Sequence, residues 1–128
     1  MLISNRYILA FGKGVLALIV SVVLLLCFSS CSSWHEAKAV IAMADSLDQV
    51  EHVIYDDTAA LGQTIRTLDN PVGRLLMSNT LGKAHYYMGR NLSLSNHIAE
   101  AAEHYIAADR LRIDDPIYRG RVNSSMGY

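Results

Sequence analysis

Asp69-Asn-Pro-Val-Gly-Arg74 and Asp114-Asp-Pro-Ile-Tyr-Arg119 hold the only two prolines of the chain, 45 residues apart and in the same local setting. In each, Asn70 or Asp115 offers a side-chain oxygen to the free N–H groups of a helix start. Proline follows at the first helical position, where its missing N–H costs nothing. Each proline therefore opens a helix. Continuing in register, Thr80-Leu-Gly82 meets Ser125-Met-Gly127, so four of fourteen aligned positions are identical and several others are chemically matched. A repeat of this length in a helical chain predicts stacked antiparallel helical hairpins, none able to bury its apolar face alone.

Working outward, the apolar spacing is helical throughout, and the predicted fold class is all-α. Ala37, Val40, Ala44 and Leu47 draw one stripe on a helix over 34–48. Asp56, Asp57 and Thr58 form an N-cap cluster for a second helix with Leu61, Ile65 and Leu68 on its inner face. The third helix, 71–90, carries Met77, Leu81, Ala84 and Met88, and a polar connection runs from Gly89 to Ser95. Asn96 is the expected cap of a fourth helix, 96–112, with Ile98, Ala101, Tyr105 and Ala108 inward. Arg110 and Arg112 complement the negative pole at its end. A fifth helix begins at Pro116. It presents Ile117, Val122 and Met126 with no polar capping helix after it, so 35–128 is expected to be the first part of a longer repeat array.

The third and fourth helices resemble the tetratricopeptide repeat (TPR) family. Leu81-Gly82 stands for the Leu-Gly of that motif's first helix, with His85 at its aromatic slot. Ala101, Tyr105 and Ala108 stand for the small–aromatic–small pattern of its second helix. Two departures stand out. Gly82 to Ala101 is seven residues longer than the standard interval, and Pro116 comes three residues late. The resemblance implies that Gly82 and Ala101 let two backbones approach while Tyr105 fills the groove between them. It also implies a concave peptide-binding face at Asn79, Lys83 and Tyr86, with Arg90 one turn beyond. An amide, a cation and an aromatic plane suit an extended peptide or partner helix.

The N-terminus carries a second resemblance. Arg6 and Lys13 precede Val15–Phe28, an uncharged apolar run of 14 residues that ends in Ser29-Ser30-Cys31. As a helix the run measures about 21 Å, short of a hydrocarbon core of about 30 Å. The order basic, apolar, small, cysteine resembles the signal peptide of bacterial lipoproteins, although Phe28 stands where that family most often has Leu. The resemblance implies cleavage after Ser29 and Ser30, acylation of Cys31, and forwarding to the outer membrane because Ser32, not Asp, follows. Residues 1–30 then form the signal, 31–34 a lipidated tether and 35–128 the working domain. The alternative is an uncleaved inner-membrane anchor, since Gly14 to Trp34 contains no charge.

Beyond residue 30 the chain holds nine basic and twelve acidic residues, a net charge of −3. That balance and the lack of a basic stripe argue against nucleic acid as a partner. Cys27 falls inside the signal, and with Cys31 acylated no thiol remains for a disulfide. Among the five histidines, His97 and His104 lie about 10 Å apart along a helix, too far to share a metal ion. Glu100 and His104 form an ordinary solvated i, i+4 pair, and His85 substitutes for a core aromatic. No phosphate loop, HExxH or nucleophile elbow is present. The expected function is therefore a lipid-anchored scaffold that binds a protein or peptide, with no catalytic site, metal or cofactor. The alternative is a sensory subunit with an output domain beyond Tyr128.

Overall fold

The computed structural model describes the backbone of residues 2–50 and 54–127, and the side chains of these except 2–11 and 27–31. The side chains of Ser29, Ser30 and Cys31, and with them the expected processing site, lie outside the described residues. Six helices and no strand occur among those described, in agreement with the all-α expectation. They are α1 (Leu2–Asp48), α2 (Thr58–Leu68), α3 (Pro71–Leu76), α4 (Ser78–Leu94), α5 (Ile98–Leu111) and α6 (Pro116–Ser125).

The chain divides into two compact units, Met1–Ser33 and Trp34–Tyr128. In the first, every residue from 12 to 26 is exposed, with Leu16, Leu18, Leu25 and Leu26 each more than 60% accessible. Among the described residues, no helix is long and apolar enough to cross a membrane.

The second unit is built on a single apolar core with a satellite. Among the described residues of α1, Ala37, Ile41 and Ala44 are buried, while Val40 and Leu47 are half-buried beside them. The inner stripe thus centres on Ile41, which the sequence reading did not include. The segment between α1 and α2 is tied down at buried Tyr55, whose carbonyl accepts a 2.8 Å hydrogen bond from the Asn91 side-chain amide of α4. Asp57 caps α2 by accepting from the Ala60 N–H, 2.9 Å. Leu61, Thr64 and Leu68 face inward, with Ile65 half-buried.

Both cap-and-proline signals hold. Asn70 accepts from the Gly73 N–H at 2.8 Å, and Asp115 accepts from the Ile117 N–H at 2.9 Å. The third predicted helix, however, is two. It breaks at Met77 (φ −125°, ψ 26°) into α3 and α4. The turn from α2 is so tight that a Cβ on Gly73 would lie 2.0 Å from the Leu68 carbonyl oxygen. The break lets Met77 drop into the satellite cluster with Ala37, Leu68 and Leu81. Leu75 and Leu76 are left in solvent, 79% and 64% exposed.

Two further boundaries move. α4 continues through Gly89 to Leu94, so the predicted polar connection is mostly helix. Asn96 does not cap α5 but ends α4. At φ 64° it sits in the left-handed region, with the Asn96 N–H bonded to Ser93 O and the His97 N–H to Leu92 O. That pair of bonds is the Schellman closure of a helix C-terminus. On α5, Ala101, Tyr105 and Ala108 are buried as expected, but Ile98 is 58% exposed. Arg112 closes α5 in the left-handed region at φ 52°.

Candidate interaction face of helices α4 and α6

The residues expected to pack the hairpin are all buried, yet they do not meet as expected. A Cβ on Gly82 would lie 2.6 Å from Ile113 Cγ1, so Gly82 packs against the α5–α6 connection rather than against Ala101. The close crossing of α4 and α5 belongs to Gly89. A Cβ there would stand 2.9 Å from Tyr105 Cε1 and 3.2 Å from the Ala101 carbonyl oxygen. Leu81 lies in the satellite cluster, apart from Ala101, Tyr105 and Ala108 in the main core.

The expected peptide groove is likewise not open. The Asn79 side-chain oxygen Oδ1 accepts from the Asp114 N–H at 3.2 Å and so steadies the approach to α6. Tyr86 is 6% exposed, with ring neighbours Tyr87, Tyr105 and Tyr118 at centroid distances of 5.3, 6.3 and 5.7 Å. Lys83 and Arg90 face the last turns of α1. Lys83 Nζ donates to Asp45 Oδ2 at 3.1 Å, and Arg90 donates to Asp48 Oδ1 at 2.5 Å. Arg74 pairs with Asp69 at an exposed position within its own turn.

Three more donors from α4 and α6 converge on the same two carboxylates. Tyr87 and Tyr118 each donate to Asp45 Oδ1 at 2.6 Å, and their hydroxyls are 2.7 Å apart. Arg121 donates to Asp48 Oδ2. The five donors thus occupy i, i+4 and i+7 on α4 (Lys83, Tyr87, Arg90) and i, i+3 on α6 (Tyr118, Arg121), spacings that align side chains on one helix face. Lys83 Nζ also lies 4.6 Å above the Tyr118 ring, and the Arg121 guanidinium 5.5 Å from it.

Burial pushes the Asp48 carboxyl up, but its bonds to Arg121 and Arg90 outweigh that and hold it below the ordinary value. Burial, and then the bond to Asp45, raise the Tyr87 and Tyr118 hydroxyls above theirs, so both remain donors at neutral pH. The face is consequently a fixed set of donors with three cations facing two anions. Asp45, Asp48, Tyr87, Tyr118 and Arg121 were not among the residues singled out in sequence.

A second cluster lies between α4 and α5. His85 Nδ1 and His104 Nδ1 are 2.9 Å apart, so one ring donates and the other accepts. Burial, then the neighbouring His104, lowers the His85 pKa from 6.5 to about 4. Burial lowers His104 as well, against the pull of Glu103 and Glu100. Among the described residues, no group of three metal-ligating side chains is assembled.

No protein-family model matches the chain, and neither a curated protein nor a solved structure does.

Proposed function

We propose that the chain is a lipid-anchored helical scaffold of the bacterial cell envelope whose α4–α6 face binds a protein segment. The observation that carries this reading is the first unit. Residues 12–26 form a helix with every position exposed, most of them large and apolar. An apolar surface of that extent in water indicates another environment, such as an export channel or a bilayer. Cys31 stands five positions beyond it, after the two small serines that a lipoprotein peptidase would need.

The scaffold is TPR-like, in a register seven residues later than Leu81-Gly82. With Gly89 as the crossing glycine, the interval to Ala101 is 12 residues, which removes the excess noted in sequence. The face then works by binding rather than by chemistry. Its tyrosines remain donors, and its three cations are held toward two carboxylates.

Metabolic labelling with a clickable fatty acid tests the anchor. The wild-type chain takes the label and Cys31→Ala does not; equal labelling of the two overturns the lipoprotein reading.

A further inference from the structure

We propose that the α4–α6 face is a receptor for an amphipathic helix bearing two carboxylates one turn apart, and that residues 34–48 of α1 occupy it as an intramolecular stand-in until a helix of another protein displaces them. The inference rests on the scaffold reading above and names that scaffold's partner by its chemistry.

The face is defined by what it holds. Five donors on two helices meet Asp45 and Asp48, which are three positions apart on α1. Any helix with carboxylates at i and i+3 beside an apolar strip presents the same pattern. The apolar strip of α1 is Ala37, Ile41 and Ala44, with Val40 and Leu47 half-buried against the core and Trp34 against the satellite cluster. Beside that strip, what the five donors recognise is the pair of acids.

The charges are also unequal. Lys83, Arg90 and Arg121 face two carboxylates, and one positive charge remains to draw an acidic segment. Where α1 ends, the face opens into a cavity of about 690 Å³ bordered by Asp48, Tyr86, Arg90, Ile117, Arg121 and Ser124. Ile117 at its rim is 63% exposed. An incoming helix can engage this open end first and then replace α1 turn by turn. Until then α1 competes at the high effective concentration of a tethered ligand, which lowers the apparent affinity for any partner.

The test uses the full-length chain in detergent micelles and a fluorescein-labelled peptide of residues 34–50, followed by anisotropy. The wild-type chain is expected to bind weakly. Asp45→Asn/Asp48→Asn, whose own α1 has lost its acids, is expected to bind at least tenfold more tightly. A peptide carrying the same two substitutions should lose that gain. Unchanged weak binding by the double variant, with its helical circular dichroism intact, overturns the proposal. So does equal binding of the acidic and amidated peptides, which would mean an apolar groove that does not read carboxylates. If the double variant loses its helical signal, Asp48→Asn alone decides: a severalfold gain supports the proposal, and no gain overturns it. A shift of the wild-type chain to dimer with no peptide gain would assign the face to α1 of a second copy and also overturn it. Lipid on Cys31 is read separately, so a lipidated chain that ignores the peptide fails here alone.

Discussion

At the α4–α5 crossing the two helices are held by the absence of side chains. Gly89 brings the backbone of α4 against Ala101 and the ring of Tyr105, and any atom added there meets the Ala101 carbonyl group. At the seam between α1 and the α4–α6 face, the contact is instead made of charges and hydroxyls gathered on two carboxylates. The first contact is steric and admits only one geometry. The second is chemical, and any occupant with the same groups can satisfy it. One small unit thus combines a rigid hairpin with an exchangeable neighbour.

Three measurements would break or sharpen that contrast. The largest effect is expected from Gly89→Leu, which overpacks the crossing and should cost about 3 kcal/mol in thermal unfolding of residues 33–128. An unchanged midpoint would mean that the crossing is loose, and the contrast would fall.

Next is acid. His85 titrates at 6.5 when unfolded and at about 4 when folded, so between these values the unfolded chain binds the extra proton. Stability should therefore be full above pH 6.5 and decline by about 3 kcal/mol as pH falls toward 4. His85→Leu should flatten that decline in pH-dependent unfolding. An undiminished slope would assign the decline to His104, whose folded pKa is lowered as well. The seam's own response lies lower, because the folded Asp48 carboxyl is depressed and its contribution is lost only as pH falls through the carboxylate range.

The smallest effect is expected from Asp48→Ala. Arg121 is 41% exposed and already partly screened, so the loss should be about 1 kcal/mol. Hydrogen exchange should rise in residues 34–48 and stay unchanged across α4 and α5. Equal loss of protection in all three would show that seam and hairpin open together.

What the sequence made legible follows the range of each interaction. The caps at Asn70 and Asp115 act within three residues, and both were readable. Gly82 and Gly89 are seven residues apart, close to two helical turns, and share a face of α4. Periodicity alone cannot say which of them meets Ala101, because that depends on the opposite helix. The break at Met77 depends on how closely Gly73 sits on Leu68, which spacing does not encode. Asp45 and Asp48 drew no reading in sequence, because their partners lie 38 to 73 residues further along. Lys83 and Arg90 were picked out through the TPR resemblance, but their engagement by α1 was not.

The hydrogen bond from Asn91 to the Tyr55 carbonyl sets a leash length. With Tyr55 pinned to α4, a departing α1 cannot unreel chain as far as α2. Only residues 49–54 lie between the end of α1 and that pin, and six residues fully extended reach about 20 Å. A displaced α1 would thus remain within about two helix diameters of its former berth. Return would be fast, and any partner would have to stay bound to keep the face.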